Sequence, residues 1–351
     1  MSSLSNKVDV LVVGAGPCGL LAALEMARAG LEVEIIDRAW RSASESYACG
    51  LHGSTLALLD RLGLGPAVHD AGLAVDTLAF YEGRERRAEA RLSALGGRGC
   101  GLMVLPQDRL EEILEEQLRE LGVRVRWGHR LDRLTQDENA VTAVVEQLGL
   151  TSVGYPYARS EEAVEREIEV RARYLVGADG AMSHVRQVLG IPMQETAAPT
   201  AFEVVEFEPA ADAGKEVRIA LGAATADAFW PQPGFVCRWS LQVPSTGDGG
   251  HTPTPSEEPP GGERERVARL VRERAPWFDA GVRDLEWAAT VEFGSAMAER
   301  FGVGRCWLAG DAAHQTSPVG MQSMNVGLRE ASDLAIGTCS AYGGIISAGE
   351  N

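Results

Sequence analysis

Gly14, Gly16 and Gly19 stand in the string GAGPCG, a spacing that leaves a turn whose backbone N–H groups can close on an anion. Gly14 suits the tight turn, Gly16 lets the main chain, with Ala15 and Pro17 beside it, touch a pyrophosphate, and Gly19 lets a helix pack closely on a sheet. Asp37, 18 residues past Gly19, is the acid that accepts hydrogen bonds from a ribose. Cys18 lies in the same loop. A helix N-terminus lowers a thiol pKa and makes it reactive, whereas a small residue that merely fits is the simpler reading. Two further acids follow apolar runs, Asp179 in GADG and Asp311 in AGDA, at strand ends where a ligand is met. His184 and His314 titrate near neutral pH, yet each lies inside one of these motifs, so positioning or packing is preferred to catalysis. The six cysteines form no CxxC pair and no Cys/His cluster at zinc spacing, so no metal site is expected and unpaired thiols fit a reducing cytosol.

The elements that must position these residues are visible in the apolar periodicity. Val8 to Val13 is a β-branched run that reads as a central parallel strand. Leu20, Leu21, Leu24 and Ala27 recur at helical spacing until Gly30, and Leu31 to Ile36 forms a second strand ending at Asp37. Strand, glycine loop, helix, strand and acid make a Rossmann-type dinucleotide unit in an α/β fold. Pro106 to Leu121 is an amphipathic helix and Val123 to Trp127 a strand. Val141 to Glu146 and Ile168 to Val176 read as strands joined by a polar, tyrosine-containing loop, the second running into GADG. Cys306 to Ala309 runs into Gly310 and Asp311, and a loop with Pro318 and Gly320 feeds a helix from about Met321. Strand-like runs at Ala201 to Phe207, Glu216 to Leu221 and Phe235 to Val243 precede a low-complexity stretch, about 244–262, expected to be mobile, and a charged helix at Glu263 to Arg274.

With 351 residues, 45% apolar and 24% charged, the chain is globular and long enough for about two domains. The formal charge of −17 argues against nucleic acid and anionic lipid, which leaves a small-molecule partner. The start has an apolar run too short for a signal sequence, and nowhere do 18 consecutive apolar residues occur, so a cytoplasmic location without a membrane span is expected.

GAGPCG, GADGAMSHVR and AGDAAHQTSPVGMQSMN, in this order and at these separations, resemble the class A flavin monooxygenases, the para-hydroxybenzoate hydroxylase-like aromatic hydroxylases, over nearly the whole chain. The resemblance implies FAD held by the first motif, Asp37 on the adenosine ribose, and Asp311 and Gln107 of LPQDRLEEIL on the ribityl chain. It implies a role for Asp179 and Gly180 toward both FAD and NADPH, and a loop from Pro318 through Gly320 and Met321 to Met324 and Asn325 that wraps the flavin ring. A helix N-terminus at the ring's N1–C2=O edge would stabilise an anionic reduced flavin. The implied architecture is an FAD-binding domain with a parallel sheet, assembled from 1–75, 100–190 and 288–338, with a smaller sheet-based substrate domain from 76–99 and 191–287 inserted in it. Residues 339–351 are then a tail, shortened relative to the family, and from Ala335 on AIGTCSAYGGIISAGEN replaces an apolar helix. Trp230, Phe235 and Trp239 are candidates for an aromatic substrate pocket, against the commoner reading of aromatics at strand spacing as core.

Departures from the family are equally legible. Where RAxGLxxRT places phosphate-facing arginines, this chain has Tyr47 to Thr55, YACGLHGST, which leaves Arg38 or Arg41 as candidate replacements. The common GGQGMN is here Gly320 to Asn325, with Met321 and Ser323 in place of glycines. The expected reaction uses NADPH or NADH as a transient electron donor and O2, through a flavin C4a-hydroperoxide, to hydroxylate an aromatic or polyketide-like molecule. No acid–base residue is singled out. A halogenase is disfavoured because no WxWxIP string and no lysine near Trp239 occurs. A reductase of the geranylgeranyl reductase type and a non-catalytic FAD-binding protein remain the competing readings.

Overall fold

The computed structural model describes residues 4–41, 48–95, 101–153, 159–244, 262–316 and 320–341. The first strand, Lys7–Val13, is buried along most of its length and pairs in parallel with Val33–Asp37 on one side and Arg159–Gly177 on the other. Val125–Trp127 and Cys306–Leu308 extend the parallel core outward. Short βα connections put all these carboxyl ends on one edge, and the three glycine–acid motifs leave the sheet there. Helix Pro17–Arg28 carries proline in its first turn, where the missing N–H is harmless, and stops before Gly30 at φ +86°. It buries Leu20 to Leu24 and Met26 in one apolar cluster with Leu110, Leu114 and Leu118 of helix Gln107–Glu120, and with Leu328, Ala331 and Ala335 of helix Gln322–Ala341.

A second, mixed sheet has the order His314–Gln315, Val282–Ala298, Met193–Pro209, Cys237–Val243, Ala226–Pro231, Val217–Leu221, Thr77–Glu82, Glu85–Arg91. Only the Val217–Leu221 and Thr77–Glu82 pair is parallel. One face packs Val205, Phe207, Phe229 and Trp239 under Val267 and Val271 of helix Gly262–Arg274. Because side chains alternate across a strand, the neighbours Val204, Trp230, Arg238 and Ser240 point the other way. The whole is a mixed α/β fold with parallel-containing sheets.

Three elements differ from the expectation drawn from sequence. The polar segment between Glu146 and Ile168 is a continuation of two strands, Val141–Val153 and Arg159–Gly177, zipped antiparallel as far as Val153 opposite Arg159. A hairpin with water on its faces needs ladder bonds rather than apolar residues, so its polarity read as loop. Phe235 does not begin a strand. It ends the turn Pro233–Phe235 at φ 64°, exposed, and the strand starts at Cys237. Helix Gln322–Ala341 continues past position 338, where the tail was expected to begin, and buries Cys339. Pro318, most of the stretch 244–262 and the tail beyond Ala341 lie outside the described residues.

A Cβ on Gly19 would sit 2.0 Å from the Gly14 carbonyl oxygen, whereas one on Gly16 would meet nothing within 4 Å. Gly19→Ala is therefore expected to lower stability by about 1–3 kcal/mol, the usual range for an overpacked site. Gly16→Ala should leave the thermal midpoint unchanged; equal midpoints for the two variants would contradict the close helix-to-strand approach.

Candidate functional site

The carboxyl edge of the parallel sheet faces the second sheet across a cavity of about 280 Å³. On the side of the glycine loop it is lined by Gly16, Pro17, Cys18, Gln107, Ala178, Gly180, Ala181 and Asp311, and on the other by Trp230, Ser240 and Phe293. Met321, Gln322, Ser323 and Met324 lie between. Gly14, at φ +105°, turns the chain so tightly that a Cβ there would lie 2.2 Å from the Ala178 carbonyl oxygen. Asp37 braces this turn: its carboxylate accepts from Ala15 N at 2.7 Å and from Ala39 N at 2.8 Å. Arg38 and Arg41 follow at the surface, exposed, and neither lines the cavity.

Cys18 is held beneath two glycines; Cβ atoms on Gly310 and Gly327 would lie 2.7 and 2.6 Å from its sulfur. Burial first, then the charges of Asp311 and Glu330, push its thiol well above the ordinary range. Its sulfur is thus packed against main chain, in surroundings that disfavour the thiolate.

Asp179 accepts Ser183 Oγ at 2.5 Å and Val185 N at 3.0 Å, so its carboxylate is engaged in its own turn while Gly180 and its neighbours line the cavity. Arg186, which sequence reasoning did not single out, is buried and donates to the carbonyls of Ala312 at 2.9 Å and Ala181 at 3.1 Å. It thus ties the GADG motif to the AGDA motif, and burial pulls its guanidinium below the usual range against the opposing charge of Asp179. His184 is exposed and meets the Asp132 carbonyl at 2.7 Å, away from the cavity.

Asp311 lines the cavity and accepts from Ser323 Oγ. The serine that replaces a glycine thereby gains a fixed partner. Met321 adopts φ 54°, a left-handed conformation that glycine takes without strain, and its sulfur fills the space against Gly50, whose added Cβ would lie 1.7 Å away. Asn325, 2% exposed, holds this turn: Oδ1 accepts from His52 N at 2.8 Å, and Nδ2 donates to the carbonyls of Gly50 and Met321, both at 2.8 Å. The His52 ring bonds the Gly320 backbone, and burial drives its pKa down against that bond.

On the far wall, Trp230 is buried and lines the cavity. Trp239 does not. It sits on the opposite face of its sheet with Phe229 at 5.3 Å and Phe278 at 5.6 Å, and Phe235 is at an exposed turn. Beside Trp230 lies a cluster not anticipated from the sequence. Glu206 accepts from Arg238 Nε at 2.8 Å, Gln232 Nε2 at 2.6 Å and Trp287 Nε1 at 2.6 Å. Glu206, Arg238 and Trp287 come from three adjacent strands at matching register and Gln232 from the turn after a fourth, a juxtaposition without a local sequence signal.

The FAD-binding domain family matches residues 7–346, and the chain belongs to this family. It is similar to the flavin-dependent monooxygenase of Mycobacteroides abscessus, 30% identical over 346 residues that cover 93% of this chain and 66% of that protein. It is 31% identical to the 12-dehydrotetracycline 5-monooxygenase/anhydrotetracycline 6-monooxygenase of Streptomyces rimosus, over 93% of this chain and 62% of the relative. An aklavinone-11 hydroxylase solved with FAD and aklavinone superposes with a TM-score of 0.77 at 27% identity, over 97% of this chain and 64% of that one. The chain thus spans about two thirds or less of the length of these relatives. FAD, the cofactor of the family, suits the residues present: an open backbone at Gly16, a helix N-terminus behind it, and Gln107 and Asp311 on the same cavity.

Two outcomes test this geometry. Asn325→Ala strips partners from three backbone groups and should lower stability by roughly 2–4 kcal/mol in chemical denaturation, while Asn325→Asp keeps the acceptor for His52 N. A loss below about 1 kcal/mol would exclude the staple. His314 bonds Glu330 at 2.6 Å, and this bond raises the imidazole above its ordinary 6.5. The contribution of that pair is complete below pH 6.5 and lost as pH rises through the raised folded value. His314→Gln should therefore flatten the decline of the thermal midpoint above pH 6.5; an unchanged slope would place its origin elsewhere.

Proposed function

We propose that this chain is an FAD-dependent monooxygenase that takes electrons from NADPH or NADH and places one oxygen atom of O2 on an electron-rich aromatic or polyketide-like small molecule. The observation that carries this reading is the single cavity that joins the dinucleotide loop to an apolar wall of Trp230 and Phe293. When bound, FAD supplies the redox and oxygen-transfer chemistry. The protein's part is to bind, orient and exclude water.

In this reading the N–H groups of Gly16, Cys18 and Gly19, at the start of helix Pro17–Arg28, receive the pyrophosphate, and Asp37 the adenosine ribose. Gln107, Gly310 and Asp311 meet the ribityl chain. Gly320, Met321, Met324 and Asn325 form the turn beside the ring, with Asn325 acting through the backbone it holds rather than by touching the cofactor. The N-terminus of helix Gln322–Ala341 offers its dipole to developing negative charge. Trp230, Phe293 and Met321 keep water from the reacting face. We take the chain to divide into a cofactor unit of 1–75, 100–190 and 288–338 and a substrate unit of 76–99 and 191–287, with strand Val282–Ala298 of the second sheet running across the 287/288 boundary.

The decisive experiment is incubation of the FAD-loaded protein with NADPH or NADH and a panel of phenols and polyketide-like aromatics under ¹⁸O2. The expected product carries one labelled oxygen. Oxygen-independent reduction of an alkene would point to a reductase, and absence of flavin reduction to a binding protein. Asp311→Ala should weaken FAD by about 1–3 kcal/mol, and Gly16→Val should abolish binding by filling the open backbone face. Full flavin retention in Gly16→Val would overturn the assignment of the loop.

A further inference from the structure

Gln107 lines the cavity, but its side-chain orientation is set from behind. Its Nε2 donates to Glu111 Oε1 at 2.8 Å, one helical turn on, and its backbone N donates to the Ala48 carbonyl at 3.1 Å. With one N–H of the amide held by Glu111, the carboxamide keeps its oxygen and a second N–H, and the oxygen can accept from a hydroxyl in the cavity. Glu111 is 3% exposed and does not itself line the cavity.

The charges around Glu111 are of one sign. Asp108 and Glu115 face it from its own helix, and Asp37 faces it from strand Val33–Asp37. Helix Pro17–Arg28 packs against the same helix, but its charged groups are directed elsewhere: Glu25 bonds Ser332, and Arg28 meets Gln117. A buried carboxylate among acids is a poor neighbour for the two negative charges of a pyrophosphate.

We infer that Glu111 is a positioning residue of the cofactor site, which fixes the acceptor face of Gln107 toward the ribityl hydroxyls and takes up a proton when FAD binds. This rests on the FAD reading above and adds to it a proton that accompanies the cofactor. Burial, then the neighbouring acids, lift the Glu111 carboxyl to about 7 against the opposing Gln107 bond, so the proton is exchanged in the physiological range. A protonated carboxyl still accepts from Gln107 through its carbonyl oxygen, and a glutamine at 111 can do the same without a charge.

The test is the FAD dissociation constant of the full chain between pH 6 and 9, from quenching of flavin fluorescence, for the parent and for E111Q, E111L and Q107A. In the parent the constant should rise at least tenfold from pH 7 to 9. E111Q should match the parent within twofold at pH 6 and stay flat, binding more tightly than the parent at pH 9. E111L should bind more weakly at every pH, by about the same factor as Q107A, because the carboxamide loses its anchor. Thermal unfolding without FAD supplies an independent reading. A carboxyl raised from 4.5 to about 7 makes the parent lose stability relative to E111Q as pH rises through that interval. A flat parent profile, or a pH slope that survives in E111Q, overturns the inference while FAD binding itself stands. Failure of the parent to bind FAD at any pH overturns the FAD reading as well.

Discussion

The approach of the Gly14 main chain to the Ala178 carbonyl is the constraint on which the other parts of the site rest. Two strand ends, Val13 and Gly177, are paired side by side, and the Ala178 N–H bonds the Val13 carbonyl at 2.7 Å. Only a residue without Cβ and with positive φ can turn between them, and only a second glycine, Gly19, lets the following helix settle on that turn. The helix N-terminus is thereby brought to the sheet edge at which Gly180 and Asp311 also arrive. Backbone proximity, rather than any side-chain contact, gathers the three motifs.

Within that frame the residues that depart from the family pattern have acquired local partners. Ser323 reaches Asp311 and Met321 covers Gly50, while Asn325, which keeps the family pattern, fastens both Gly50 and the Met321 carbonyl to helix Gln322–Ala341. A non-glycine residue at φ 54° is strained by about 1–2 kcal/mol. The buried amide of Asn325 and the packing of the Met321 sulfur offset that strain, so the turn is over-determined rather than loose. Its rigidity bears on function, because the same turn separates the cofactor side of the cavity from Trp230.

Much of this was legible in the sequence where a local pattern carries the information. The glycine spacing, Asp37, the helix Gln107–Glu120 and the strand running into Asp311 all report themselves within a dozen residues, since turn chemistry and periodicity are local. What stayed hidden depends on register between distant strands. Trp230 and Trp239 look alike in sequence, yet alternation on neighbouring strands sends Trp239 into the core under helix Gly262–Arg274 and leaves Trp230 facing the cavity. The Glu206, Arg238, Gln232 and Trp287 cluster arises from three strands and the turn after a fourth in the same way, and no single segment advertises it. Arg186 was hidden for a different reason. Its two acceptors are backbone carbonyls, which leave no trace in residue type.

The electrostatics of the cavity follow from what replaced the family's arginines. Among the described residues that line it there is no lysine, arginine or histidine, and Asp311 is the one acid. Arg38 and Arg41 are at the surface, where ionic attraction is screened within about 10 Å at ordinary salt. On the reading proposed above, an anionic cofactor would be held mainly by neutral donors, the N–H groups of the glycine turn and the helix dipole, whose fields are short-ranged and depend on exact placement. A site built in this way gains affinity from rigid backbone geometry instead of mobile charge. That explains why so many of its side chains, Asp37, Asp179, Arg186 and Asn325 among them, bond main-chain atoms of the loops that form the cavity.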